Sequence, residues 1–351
     1  MYYKEDWKRT KEHFKAWWNR ELDESIIQVF APKEGAGIIN WDIWGFVKNW
    51  RKPSIVIREF EEYCQRTFFG GGAYPNLWIN LGPCVIASYM GGIPEFKAGT
   101  VWYKEMRLED IEKLEFNSES EWWMYTKEIV AEACKIGRGK FIVGLPDLGA
   151  VTDILASVRG IRNLIVDFYR NSSRVRRLSS KILDTWFEVY GELCGIIKEY
   201  GQEGVSTWMG LWCHRQYYPI HADFAYMLSP SKFEELVLPY LKEYCVRLDY
   251  AIYHLDGVGQ IPHVDLLLKL RELTGIQWVP GAGQPDTSDP KWLPLYRKIQ
   301  ESGKNLQLPG VPPNKVSFIL KNLKRRGLII TTQCKSENEA RLLLRETHLL
   351  S

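Results

Sequence analysis

The chain has no C-x-x-C pair. Its seven cysteines (Cys64, Cys84, Cys134, Cys194, Cys213, Cys245 and Cys334) fall at irregular spacing, an odd and unpatterned set that suits reduced thiols in the cytoplasm rather than a disulfide framework. No apolar run reaches membrane length, and the N-terminal stretch MYYKEDWKRTKEHFKAWW is charged throughout, so neither a spanning helix nor a signal peptide is expected. Charge of one sign is also missing. The 46 basic and 43 acidic residues leave a formal charge of +3, and the one basic run, Lys321–Arg326 (KNLKRR), reads as a solvated helix end before Gly327. Nucleic acid is therefore not an expected partner. Gly70-Gly71-Gly72 lacks the Lys-Ser/Thr of a phosphate loop, and Gly257-x-Gly259 lacks the third glycine of a dinucleotide fingerprint. No linker or low-complexity segment divides the 351 residues, so one domain is expected over 1–351.

What is present is a regular alternation of strand and helix patterns, centred on Ala251–Gly259 (AIYHLDGVG). An apolar run there stops at His254-Leu255-Asp256-Gly257. Side chains alternate along a strand, so His254 and Asp256 share a face while Leu255 points away, and the glycines let the backbone turn off. Further strands are expected at Ser25–Phe30, Lys140–Leu145, Gly204–Met209, Gly275–Val279, Asn305–Leu308 and Gly327–Thr331. Helices are expected over residues 1–22, Pro53–Thr67, Ser118–Ile136, Ser173–Tyr200, Pro262–Leu273, Asp289–Ser302, Pro313–Lys324 and Ser336–Thr347. Up to eight strand candidates in regular βα succession predict an α/β fold, a (β/α)8 barrel with an N-terminal helical extension; a doubly wound sheet is the alternative.

In a barrel, chemistry gathers at the carboxyl ends of strands. That places Asp147, Trp208, His254, Asp256, Trp278, Gln307 and Cys334 as candidates. His254, Asp256 and Cys334 offer an imidazole, a carboxylate and a thiolate, all accepted by zinc, with a fourth position left open. The loop read over Gly210–Ala222 carries His214, Arg215 and His221 and closes with Asp223. There His214, His221 and Asp223, with Asp147, are read as acid–base groups, and Arg215 as a partner for a carboxylate. Asp153 is read as a helix-start residue. The chain has 15 tryptophans, and those near glycines, prolines or strand ends, Trp208 and Trp278 among them, suit stacking on a ring-shaped ligand.

The stretches PDLGAVTDILASVRGIRNLIVDFY (146–169), HADFAYMLSPSKFEELVLPYL (221–241), YHLDGVGQIPHVDLLLKL (253–270), GIQWVPGAG (275–283) and TTQCKSENEARLLL (331–344) resemble the uroporphyrinogen decarboxylase superfamily. That superfamily includes cobalamin-dependent methyltransferases acting on methyl-corrinoid proteins or coenzyme M. The resemblance implies a (β/α)8 barrel and covers roughly the C-terminal two thirds. Methyltransferases of this superfamily carry a zinc site of the form His-x-Cys followed by a distant Cys; the matching positions here are His254, Asp256 and Cys334, a carboxylate replacing the middle thiolate. The decarboxylase's arginine-rich N-terminal motif is missing, and the segment matching its acidic one, NLWINLGPCVIASYMG, has no acidic residue, so porphyrin decarboxylation is not expected. The resemblance thus implies a methyltransferase-like enzyme moving a methyl group between a corrinoid, supplied by a partner protein, and a small substrate. A homodimer is the expected assembly. The competing readings are a metal-independent lyase, decarboxylase or hydrolase acting on a small ring-shaped acid or sugar, and a binding protein without turnover.

Overall fold

Eleven strands appear in the computed structural model, which describes residues 1–37 and 40–349. They are β1 (Ile26–Pro32), β2 (Thr67–Gly71), β3 (Asn76–Trp78), β4 (Pro94–Lys97), β5 (Thr100–Tyr103), β6 (Ile142–Gly144), β7 (Tyr217–His221), β8 (Tyr250–Asp256), β9 (Gly275–Val279), β10 (Asn305–Leu308) and β11 (Leu328–Gln333). The main sheet has the order β2-β1-β11-β10-β9-β8-β7. All its neighbours run parallel except β2, which returns antiparallel to β1. β3 and β6 form a separate parallel pair, and β4 and β5 an antiparallel hairpin.

Helices follow most strands, as parallel crossovers require. The longest, Ser172–Glu199, buries the expected stripe of Val175, Leu178, Ile182, Trp186, Val189 and Leu193. The expected N-terminal helix is present at Trp7–Trp18. Among the described residues, no helix is long and apolar enough to cross a membrane.

Strand pairing among the described residues gives seven strands and a separate pair rather than one ring of eight. The pair is short, three residues in each strand. Beyond its strands the pair is continued by Ile79 N–H donating to Gly144 O (3.0 Å), and Leu145 N–H donates to Ser206 O (2.8 Å) in the segment that follows the long helix.

The main departure from the sequence reading lies at 204–222. Gly204–Met209 makes no strand, only the isolated bridge Val205–Cys213, and the strand stands instead at Tyr217–His221, inside the stretch read as a loop. Pro219 and two tyrosines hide that strand from a β-branched pattern. Thr207–Gly210 passes beneath the sheet interior. Its carbonyls accept bonds there: Met209 O from Gln307 Nε2 (3.0 Å) and Gly210 O from Gln28 Nε2 (2.8 Å). The residues that follow pack on the N-terminal helix, where Trp18 Nε1–H donates to Trp212 O (2.8 Å).

Candidate active site

Parallel pairing puts His221 of β7 beside His254 of β8, His254 beside Gln277 of β9, and Gln277 beside Gln307 of β10. Residues in register on neighbouring strands share a face, so these four side chains form one row. Asp256 stands one step further along the same face of β8, and Asp223 follows β7 by two residues. Gly257 turns the chain away with φ +82°, and Gly281 with φ +87°; a Cβ on Gly281 would come within 3.1 Å of the Gly257 Cα, so both turns need glycine.

The row is wired from one end. Gln307 Nε2 donates to Met209 O (3.0 Å), Gln277 Nε2 donates to Gln307 Oε1 (3.1 Å), and Gln277 Oε1 lies 2.6 Å from His254 Nδ1. Gln277 Oε1 can only accept. Nδ1 of His254 therefore carries the proton, and Nε2 is left with a free lone pair. Burial, and then the neighbouring His221 charge, push the His254 pKa down, which keeps that ring neutral. One ligand atom each from Asp223, His254 and Asp256 lies within 4.8 Å of the others.

His221 is held differently. Its Nδ1 lies 2.7 Å from Asp153 and 3.7 Å from Asp223, and its Nε2 3.4 Å from Asp147. Burial alone would lower its pKa, but the bonds to Asp147 and Asp153 and the Asp223 charge outweigh it, and the pKa stands well above the usual histidine value. His221 is therefore an imidazolium, with both nitrogens engaged by carboxylates. It can form a second three-residue group with Asp153 and Asp223, but an imidazolium has no lone pair for a metal. Asp153 also accepts the backbone N–H groups of Asp223 (3.0 Å) and Phe224 (2.9 Å), which fixes the turn carrying Asp223. Loss of hydration among the protein groups around it pushes the Asp223 carboxyl up to about 7, the His221 charge opposing and the Asp153, Asp256 and Asp147 carboxylates adding to the rise, although half of the side chain reaches solvent.

Two cavities border this cluster. The inner one, about 400 Å³, is lined by His254, Trp208, Gln277 and Gln307 together with a wall of aromatic rings. Trp208 meets the His254 ring edge to face at 4.9 Å. The outer one, about 730 Å³, is lined by His221, Asp153 and Asp223 and by Trp102, Ala156 and Arg162.

The structure thus brings together Asp147, His221, Asp223, His254, Asp256, Trp208 and Gln307 from the sequence reading. Four others stand elsewhere. His214 and Arg215 precede β7, so they sit at the opposite end of the sheet, where Arg215 pairs with Asp249 just ahead of β8 (3.2 Å). Trp278 follows the inward-facing Gln277 and points to the helix layer, fully buried at 5.0 Å from Trp292. Cys334 continues the β11 ladder through its N–H to Phe30 O (2.8 Å) but has the outward parity, since Thr331 lines the inner cavity. It is buried, its thiol pushed up to about 11, and it belongs to no three-residue ligand group among the described residues; the third partner of His254 and Asp256 is Asp223. Two residues not assigned to the site from sequence, Asp153 and Gln277, hold the groups that were. For Gln277 the signal was available, since GIQWV places one polar residue inside an apolar strand.

No family model matches the chain, and no curated protein matches it in sequence. Among solved structures, a methyltransferase from Methanosarcina mazei is similar over 97% of this chain and 98% of its own, with TM-score 0.58 and 10% identity, a likeness of fold. A B12-independent methionine synthase from Shewanella sp. W3-18-1, in complex with selenomethionine, covers 63% of this chain and 66% of its own at 12% identity and TM-score 0.34, too loose an overlap to carry weight.

Proposed function

We propose that the chain is a methyltransferase on a (β/α)8 barrel, with zinc bound by Asp223, His254 and Asp256 and the methyl group exchanged between a small substrate and a corrinoid carried by a partner protein. The observation that carries this reading is the Gln307–Gln277–His254 chain. It fixes one tautomer and leaves Nε2 unprotonated on a ring grouped with the Asp223 and Asp256 carboxylates, the outer-shell arrangement that metal-ligating histidines use. The donor set of one imidazole and two carboxylates is accepted by zinc, with a position left for substrate. Zinc there would act as a Lewis acid, lowering the pKa of a bound acceptor or polarising a leaving group. The barrel reading is supported by eight strand segments in chain order, β1, β3, β6 and β7 to β11, with β11 pairing back to β1.

The protein's own groups divide the remaining work. His221, with a proton on each nitrogen, supplies a fixed positive charge and a proton donor beside the metal ligands, and Asp147 and Asp153 hold its ring. Two cavities bordering one cluster suit a transfer between two substrates better than a reaction of one. The fold likeness to a methyltransferase points the same way. The imidazolium between two carboxylates also favours a second reading, metal-independent acid–base catalysis. The ring-shaped acid imagined for that chemistry finds no lysine or arginine lining the inner cavity.

Zinc stoichiometry decides between them. Protein purified without an affinity metal should carry about one zinc per chain, and His254→Ala or Asp256→Ala should carry almost none. A His254→Ala protein with full zinc would sink the metal site. Methyl transfer from free methylcobalamin to an added thiol such as 2-mercaptoethanol, giving the thioether and cob(I)alamin and followed by absorbance in the zinc-loaded protein, tests the transfer itself.

A further inference from the structure

The inner cavity is lined by two kinds of group, rings and amides, and carries no charge on its walls. Trp41, Phe60, Tyr63, Phe69 and Phe30 form an unbroken run of rings, each meeting the next at centroid distances of 5.1, 5.8, 6.1 and 5.9 Å. Three of these contacts are edge to face, at 72°, 79° and 80°, and the Phe60–Tyr63 pair is tilted by 30°. The run therefore offers both ring faces and ring edges. Burial pushes the Tyr63 phenol up to about 12, so that ring is uncharged as well.

The amides, Gln28, Asn76, Gln277 and Gln307, are spent on the protein itself. Each nitrogen already donates to a carbonyl oxygen: Gln28 to Gly210, Asn76 to Thr207, Gln277 to Gln307 and Gln307 to Met209. Gln28 Oε1 accepts from the Thr331 hydroxyl, and Gln277 Oε1 from His254. The unpartnered polar side-chain atoms on this lining are Asn76 Oδ1, which lies against Gly144, and Trp208 Nε1, both buried. No lysine, arginine, aspartate or glutamate lines the space, and His254 is held neutral. Zinc on Asp223, His254 and Asp256 would balance those two carboxylates, so the His254 end of the cavity gains no net charge from them. A charged ligand would find no counter-ion on these walls, and a strongly polar one few free partners. A flat ring would find edges for its faces and faces for its edges.

We propose that the inner cavity binds an uncharged aromatic ring. The proposal deepens the function above and rests on it for one point, the role of that ring as the small substrate of the same site. A volume of about 400 Å³ takes a benzene ring with one or two short substituents. The run from Trp41 to Phe30 packs on the ring edge to face, and His254 marks the end of the cavity nearest the proposed metal.

Two pairs of probes test it by calorimetry on the metal-free chain, where no metal can take a carboxylate. Anisole is set against methoxycyclohexane, a saturated analogue with at least as much apolar surface, so burial alone favours the saturated ring. Anisole should nonetheless bind about threefold or more tighter. Benzoate should bind about tenfold or more weaker than benzamide, its neutral isostere. Tyr63→Leu and Trp41→Leu should each weaken anisole about threefold or more and leave methoxycyclohexane within about twofold. Equal or tighter binding of methoxycyclohexane, benzoate binding that matches benzamide, or no binding of anisole overturns the proposal on the unaltered protein. Variants that both keep the full preference for anisole overturn it too, since the ring would then lie elsewhere. Zinc content of the protein as purified keeps the two ideas apart. A preference for anisole without zinc overturns the metal site alone, and zinc without that preference overturns the ring site alone.

Discussion

At the scale of single residues, Gln277 is the one whose chemistry reaches furthest. It touches no proposed ligand except His254, yet it alone sets which nitrogen of that ring is free. Gln277→Leu keeps much of the volume and removes the acceptor, so the ring can turn or change tautomer. Zinc affinity should then fall about 10- to 100-fold, with the fold retained, in a competition titration against a chromophoric chelator. An unchanged affinity would separate the glutamine chain from metal binding. Asp223 makes a prediction about pH. Its carboxyl is pushed up to about 7, so below that pH a metal must displace a proton. The sign follows: zinc affinity rises about tenfold per pH unit below about 7 and levels off above it. His254 adds little slope there because its pKa is lowered, and His221 adds none because it is not a ligand. Titrations at about pH 6, 7 and 8 should show the slope in the unaltered chain and lose it in Asp223→Asn.

At the scale of elements, the site depends on a floor built far from it in sequence. The segment Thr207–Gly210 receives Gln28 and Gln307, and the residues after it rest on the helix Trp7–Trp18 through Trp18, which is 2% exposed and bonded to Trp212 O. Trp18→Ala removes a buried indole and leaves that carbonyl without its donor. A loss of about 3–5 kcal/mol in urea denaturation is expected, and a loss well under about 1 kcal/mol would show that the helix is an appendage. Legibility divides along the same line. β8 was readable because an apolar run, a polar pair two apart and a glycine turn all act locally, and the long helix Ser172–Glu199 because its stripe repeats many times. β7 was not, because YYPIH becomes a strand only through its neighbour β8, while GVSTWM looks like a strand and is drawn under the sheet by glutamines 28 and 307. That one displacement moved His214 and Arg215 to the wrong end of the sheet. Cys334 and Trp278 failed by parity, which needs a register that the sequence does not state. Asp153 was seen as a helix start, and it does sit in the first turn of a helix, but its bonds to His221 and to the turn at Asp223 are long-range.

At the scale of the whole molecule, the cluster is a partition between two spaces of unlike character. The inner cavity is ringed by aromatic side chains and has no charged wall; the outer cleft holds Arg162, Asn163 and Glu105 and is bordered by Trp102 and Met227, each 60% exposed. Exposed apolar side chains of that size at a cleft mouth suit a surface that another molecule covers. If a methyl group passes between two molecules at the cluster, the outer cleft suits the larger one, because it is the roomier of the two and is bordered by the hairpin β4–β5. Blocking the cleft should then stop transfer without touching the inner ligand or the metal. Ala156→Phe places a ring in the outer cleft from the helix that carries Asp153, at a residue outside the ligand group of Asp223, His254 and Asp256. Zinc content should stay within about twofold of the unaltered chain, while methyl transfer from methylcobalamin to an added thiol falls about 100-fold or more. Retention of full transfer would place both substrates in the inner cavity, and loss of zinc would show that the two spaces act as one.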